Sequence, residues 1–176
     1  MTRTLFLMRH AKAEAHDART DFDRVLAPRG WRQAKDAGLV LADRGIQLVL
    51  CSSSQRTRQT YEALDLKGPD GGPIPVQYME ALYLGSASLI RQRIGEIEDE
   101  ITSLLVIGHS PGIPTLAAEL AWADKPREAD QIQCWFPTAA HSEFEIATSW
   151  SQLWDSDAQA QLTDVRRPSQ AEGLGR

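Results

Sequence analysis

An apolar run, Leu5-Phe6-Leu7-Met8, delivers a guanidinium and an imidazole side by side at Arg9 and His10. A buried strand ordinarily continues apolar or stops at a turn residue. Ending one on these two groups aims them at a partner outside the sheet, and an anion suits both. A phosphoryl group in transfer spreads its charge over three equatorial oxygens, and its catalysis is mostly positioning and electrostatic stabilisation. Arginine fits that task because its planar fork bonds two oxygens and stays charged. A histidine that attacks phosphorus needs a neutral nitrogen. Neighbouring arginines disfavour the imidazolium, and a backbone carbonyl holding one ring N–H leaves the other nitrogen free. Arg56 and Arg58, which follow Cys51 to Ser54, and His109 in Gly108-His109-Ser110 could extend the same chemistry. Singly, each piece is ordinary. A strand-end Arg-His pair is commonly a surface ion-pair element, a lone His109 a hydrogen-bonded loop residue, and Arg32, Arg56 and Arg58 solvated helix faces. Their weight depends on whether one topology gathers them.

The pattern of apolar residues supplies such a topology. Leu5 to Met8, Ile46 to Cys51 and Leu104 to Ile107 read as short, fully buried strands. Residues 11–28 are polar and acidic and read as a loop. Trp31, Ala34, Ala37 and Leu39 to Leu41 then mark a helix running to about Arg44, with Gly45 as its stop. Ser52-Ser53-Ser54 can cap a helix over residues 55–66. A Gly/Pro-rich turn spans Gly68 to Pro73, and Val76 to Tyr78 forms a short strand. Ser86-Ala87-Ser88 opens a helix carrying Leu89, Ile90, Ile94, Ile97 and Ile101, and another runs from Ile113 to Trp122. Ser142 to Ile146 alternates, as a half-exposed strand does. The order implies an α/β fold: a three-layer α/β/α sandwich with a mostly parallel central sheet. Functional groups in such sheets gather at the carboxyl ends of the strands. Arg9-His10, the Cys51 to Arg58 segment and Gly108-His109 all lie at such ends.

At 176 residues the chain is long enough for one sizeable core, and residues 1–168 read as a single domain with a frayed tail at 169–176. Its net charge of -5 argues against a general nucleic-acid binder, although a local arginine cluster can override that sign. No apolar stretch approaches the roughly 20 residues of a membrane span. The N-terminus lacks the small-residue cleavage site of a signal peptide. Cys51 and Cys134 make neither a disulfide framework nor a metal set, so a cytoplasmic protein without a cofactor or metal is expected.

Several ordered motifs carry a family resemblance. Leu7-Met8-Arg9-His10-Ala11-Lys12 resembles the Arg-His-Gly signature of the histidine phosphatase superfamily. Ser52 to Thr60 resembles its Ser-Pro-x-x-Arg-Ala-x-Gln-Thr signature, and Val106-Ile107-Gly108-His109 its second histidine motif. Asp21-Phe22-Asp23-Arg24, with Leu26 and Pro28-Arg29-Gly30, is similar to a stretch of the SixA-type phosphohistidine phosphatases, as is Phe136 to Ala140. Ala11 replaces the usual glycine and Ser53 the usual proline, without moving His10 or Arg56 out of register. The resemblance implies a phosphoglycerate mutase-like fold and a metal-independent phosphatase working through a phosphohistidine intermediate. It makes His10 the nucleophile and completes the phosphate pocket with Arg9, Arg56 and His109. It implies a phosphorylated protein as partner, such as a histidine phosphotransfer domain, or else a small phosphorylated molecule. Glu80 resembles the acid position of the superfamily's mutases and reads equally as a surface carboxylate. Asp21 or Asp23 is expected to pair with a nearby arginine structurally.

Other readings compete. Gly108-His109-Ser110-Pro111-Gly112 matches the nucleophile elbow of serine hydrolases, with Asp124, Asp130 and His141 downstream. The oxyanion hole there needs the N–H of the residue after the serine, and Pro111 has none. Cys51 and Arg56 are separated by four residues, one short of a cysteine phosphatase loop. A non-catalytic phosphate-binding module would not need the full set of His10, His109 and two arginines. A phosphoglycerate mutase of the same superfamily would be expected to carry longer lid insertions than the short segments on either side of Glu80, while a small-molecule phosphomonoesterase or mutase of that superfamily stays the alternative.

Overall fold

The apolar runs become the middle of one six-stranded sheet. The computed structural model describes residues 1–15, 19–154 and 159–169. Its strands are β1 (Arg3–Arg9), β2 (Leu48–Ser52), β3 (Val76–Met79), β4 (Ser103–Gly108), β5 (His141–Ile146) and β6 (Ala160–Arg166). Their spatial order is β3-β2-β4-β1-β5-β6. The first four in that order run parallel, and β5 and β6 extend the sheet antiparallel.

Successive side chains of a strand point to opposite faces, so a continuous apolar run demands cover on both. Phe6, Met8, Val49, Cys51, Leu105 and Ile107 face α1 (Pro28–Leu41) and α2 (Gln55–Leu64), where Ala34, Ala37, Leu41 and Leu64 complete one core. Leu5, Leu7, Leu50, Leu104, Val106 and Phe144 face α3 (Ala87–Gly95), α4 (Gly112–Ala121) and α5 (Pro126–Cys134), with Ile90, Ile94, Leu116 and Ile132. Each such aliphatic side chain contributes about 1.5–3 kcal/mol by leaving water. The expected three-layer α/β/α arrangement is therefore present.

Local details depart from expectation for identifiable reasons. Pro28 is the first residue of α1, where its missing N–H would have had no helical partner. That helix stops at Leu41, and Gly45 takes the left-handed backbone at φ 64°. Gly38 lets α1 and α2 touch backbone to backbone, since a Cβ there would lie 2.1 Å from the Leu64 carbonyl oxygen. Ser54 occupies the N-cap of α2, yet its hydroxyl bonds the Thr57 hydroxyl at 2.7 Å rather than a backbone N–H. The helix expected through Ile97 and Ile101 ends at Gly95. Glu96, Glu98, Asp99 and Glu100 follow it, and carboxylates oppose the dipole at a helix C-terminus. Helix α5 and strand β6 were not anticipated, because only Ala129 and Ile132, and Ala160 and Leu162, are buried along them. The tail expected to fray falls almost wholly at 170–176, outside the described residues. Among the described residues no helix is long and apolar enough to cross a membrane.

Candidate active site

Strands β2, β4 and β1 are neighbours and parallel, so their carboxyl ends share one rim. Arg9 ends β1, Gly108 ends β4, and Arg56 is the second residue of the helix that follows β2. The backbone bearing His10 is fixed from two sides. Its N–H donates to the Gly108 carbonyl at 2.9 Å. The Ala139 N–H is shared between the carbonyls of Arg9 (3.1 Å) and His10 (3.0 Å). Ala139 holds this position with φ 64°, a left-handed conformation uncommon for alanine.

The side chains then define their own protonation. His10 is 7% exposed, and its Nδ1 lies 2.7 Å from the Ala11 carbonyl oxygen, which can only accept. Nδ1 therefore carries the proton and Nε2 the lone pair. Nε2 accepts from Arg56 Nε at 3.3 Å. Burial, above all, pushes the His10 pKa down to about 3; the hydrogen bond to Ala11 opposes this, while His109, Arg56 and Arg9 add to it. His109, 9% exposed, takes the opposite tautomer. Arg56 Nη2 donates to its Nδ1 at 3.3 Å, so Nε2–H is left to donate to Ser52 Oγ at 2.8 Å. Burial first and Arg56 second push its pKa to about 3. The two imidazole centroids are 5.1 Å apart.

Arg56 is buried and gathers the site. Besides the two imidazoles it donates from Nη1 to the Asp21 carbonyl at 2.6 Å and from Nη2 to Asp21 Oδ2 at 3.1 Å. Asp21 opens a one-turn 3-10 helix, Asp21–Asp23, and also pairs with Arg24 at 3.2 Å. The Tyr83 hydroxyl donates to Asp21 Oδ2. That hydrogen bond, with the charges of Arg56 and Arg24, lowers the Asp21 pKa, and burial opposes. Tyr83 stands edge-on to His109 at 5.4 Å and to Phe22 at 5.0 Å. Arg9 donates from Nη1 to the Phe136 carbonyl at 3.0 Å. Its Nε is buried without a hydrogen-bond partner, a donor left without an acceptor. Burial, then Arg56, lowers the Arg9 pKa. Two guanidiniums and two neutral imidazoles thus meet at one rim, with the Asp21 carboxylate seated on one of the cations. Such a cluster favours an added anion.

Arg9, His10, Arg56 and His109 are brought together as the sequence suggested. Glu80 is not joined to them: it is exposed in the turn after β3 and its side chain makes no hydrogen bond to the four. Arg58 leaves the pocket, stacking over the Tyr78 ring at 3.9 Å and donating to the Ser53 carbonyl at 2.8 Å. Asp21 does pair with arginine, but inside the site rather than beside it. Tyr83, Ser52 and Thr60 (whose Oγ1 accepts the Ala11 N–H at 3.0 Å) were missed. Tyr83 lies three residues after Glu80, and its hydrogen bond to Asp21 and its edge-on contact with His109 reveal its place.

The rival constellations do not assemble. Ser110 is exposed, Asp124 Oδ2 accepts from the Leu162 N–H, and His141 is buried in β5 beside β6. Burial pushes the Cys51 thiol up to about 12, the reverse of what a nucleophile needs. Among the described residues no group of three or more His, Cys, Asp or Glu is placed to hold a metal ion.

Known proteins resemble this chain in sequence and fold. The histidine phosphatase superfamily (branch 1) profile matches residues 5–83. An uncharacterized protein of Mycobacterium tuberculosis is 37% identical over 150 residues, covering 83% of this chain and 91% of that protein. A SixA-assigned protein of Nakamurella multipartitia superposes with a TM-score of 0.83 at 30% identity, covering 96% of this chain and 97% of the other. The protein histidine phosphatase SixA solved with tungstate has a TM-score of 0.69 at 25% identity, over 92% and 95% of the two chains. By fold, by motif order and by relatives, this chain belongs to the histidine phosphatase superfamily, in its SixA-type group, and is a phosphatase.

Proposed function

We propose that His10 is the nucleophile of a metal-independent phosphatase that acts on phosphohistidine in a protein partner, such as a histidine phosphotransfer domain. The observation that carries this reading is the His10 tautomer. Its Nδ1–H is committed to the Ala11 carbonyl, so the lone pair of Nε2 faces the guanidinium that would hold the phosphoryl oxygens. Nε2 attacks phosphorus in line, the new N–P bond forms, and the bond to the leaving group breaks. Arg9, Arg56 and His109 carry the oxygen charge, and Asp21 yields its place on Arg56. Water then attacks phosphorus, the His10–phosphorus bond breaks, and orthophosphate departs. A phosphoimidazole leaving group is expelled more readily than a sugar alkoxide, so little is asked of a proton donor. An exposed, unbonded Glu80 is compatible with that, and the low demand leaves it no required role on this substrate. Residues 1–168 act as one catalytic domain, in the cytoplasm.

Trapping tests the mechanism. The protein is mixed with a protein donor carrying labelled phosphohistidine, quenched within the first turnover, and mapped. Acid-labile label on His10, absent in His10→Ala and formed equally in the presence of a chelator, is the expected result. Label on another residue, or none, overturns it. Turnover of phosphohistidine protein against small phosphoesters tests the substrate class.

A further inference from the structure

The chain is acidic, yet its densest acidic run lies away from the site. Glu96, Glu98, Asp99 and Glu100 precede β4 and so lie at the amino-terminal edge of the parallel strands, opposite the site. At the catalytic rim, on the α1 side, two hollows of about 330 and 280 Å3 share Arg29, Gln33 and Pro168 as walls. The first begins at Lys12, two residues beyond His10, and is walled also by Trp135. The second is walled by His141, Arg166 and Arg167, with Asp36 as the one carboxylate. Register fixes this as the same rim, because His141 pairs with Met8 in β1 and with Arg166 in β6.

Two cations of this groove are partly spent, since Arg166 pairs with Asp164 at 2.6 Å and Arg167 Nε donates to the Trp135 carbonyl at 3.1 Å, and the free donors lie at its Lys12 end. The side chains of Lys12 and Arg29 have no ion-pair or hydrogen-bond partner among the described residues. Gln33 is buried, and its Oε1 accepts from both the Lys12 N–H (3.0 Å) and Thr138 Oγ1 (3.3 Å), which leaves its amide nitrogen as a free donor. Arg167 lies over the half-exposed Trp135 ring at 5.2 Å, which holds its cation at the groove edge.

We propose that this groove docks an acidic segment of the phosphorylated protein, seating carboxylates near the phosphorylated side chain while that side chain enters the His10 pocket. The assignment of a protein segment rests on the phosphoprotein reading above. The two hollows share three wall residues and lie outside the four-residue phosphate pocket, so a ligand filling them must extend beyond the phosphoryl group. An extended chain advances about 3.3 Å per residue, so residues within a few positions of the phosphorylated one reach Lys12 and Arg29. Charge placed in this way governs encounter and partner choice more than chemistry.

Two arms test it. In the first, a labelled Asp/Glu-rich peptide without phosphate, and its Asn/Gln counterpart, are titrated at low salt by fluorescence anisotropy. The acidic peptide should bind, the neutral one should not, and Arg29→Glu with Lys12→Glu should weaken binding by about tenfold, an effect that salt suppresses. In the second, the same pair of substitutions should raise KM for phosphohistidine protein by about tenfold and leave kcat/KM for p-nitrophenyl phosphate unchanged. Equal binding of the two peptides, tighter binding of an oligonucleotide than of the acidic peptide, or equal losses on both substrates overturns the proposal. Inactivity of the unaltered protein on phosphohistidine, with peptide binding intact, would instead refute the substrate class and leave the groove standing.

Discussion

Three histidines buried in neutral form should make this protein acid-sensitive well above the range in which carboxylates titrate. His10, His109 and His141 are 7%, 9% and 4% exposed, and burial is the largest cause lowering each pKa, to about 3, about 3 and about 4. In the unfolded chain each returns to about 6.5. As pH falls below that value the unfolded state takes up protons that the folded state refuses, so stability falls, and the loss levels off only below the folded-state values. Between pH 7 and pH 5 each histidine costs about 2 kcal/mol. That figure depends on the unfolded pKa and hardly on the depressed one, because pH 5 still lies above it. Together the three cost about 6 kcal/mol, comparable to the whole stability of many domains. Urea unfolding at pH 7, 6 and 5 measures this directly. His141→Gln should remove about a third of the pH dependence whatever it does to stability at pH 7. Orthovanadate held at a hundred times its pH 7 Kd should restore about 2.7 kcal/mol at pH 7, and more at lower pH, since a bound anion favours the imidazolium form of His10 and His109. Stability that is flat from pH 7 to pH 5, or a slope unchanged by His141→Gln, would refute the reasoning.

Three further outcomes are expected. Asp21→Asn removes the carboxylate from Arg56; an ion pair whose acid is 40% exposed is worth no more than about 1 kcal/mol, so orthovanadate should inhibit up to about fivefold more tightly. Weaker inhibition would mean that Asp21 chiefly positions Arg56. Glu80→Gln should change kcat on phosphohistidine by less than about twofold, whereas a loss of a hundredfold or more would make it the proton donor. Gly38→Ala forces a Cβ to 2.1 Å from the Leu64 carbonyl oxygen, and calorimetry should show a loss of about 2–3 kcal/mol, or about 5–10 °C in Tm.

What could be read in the sequence follows burial. Strands β1, β2 and β4 are apolar on both faces, so their runs are unmistakable, and the polar residue at which each run breaks marks the rim. Strand β6 and helix α5 bury two residues apiece, too few for a period to register. The same contrast holds within the site. Arg9, His10, Arg56 and His109 are anchored within four residues of those breaks, whereas Asp21 and Tyr83 arrive on irregular segments whose path no periodicity encodes. The Phe136 to Ala140 motif was visible as a resemblance, but its task was not: Phe136 offers a carbonyl to Arg9, and Ala139 clamps the His10 peptide. Those are backbone roles, which side-chain identity does not announce.

The neighbouring positions of β2, β4 and β1 act as a ruler for chemistry. Hydrogen-bonded strands sit about 4.8 Å apart, so the anchors for Arg56, His109 and His10 are spread over two such steps, about 10 Å, matched to one tetrahedral anion and its ring of donors. No substitution on the rim can widen that gauge without breaking a ladder of the central sheet. Room to fit a larger or smaller leaving group therefore lies outside the lattice, chiefly in the segment bearing Asp21 and Phe22 and the turn bearing Tyr83. The spacing of the phosphate-facing groups is thus set by the sheet, while the segments bearing Asp21 and Tyr83 are attached to it at the edges.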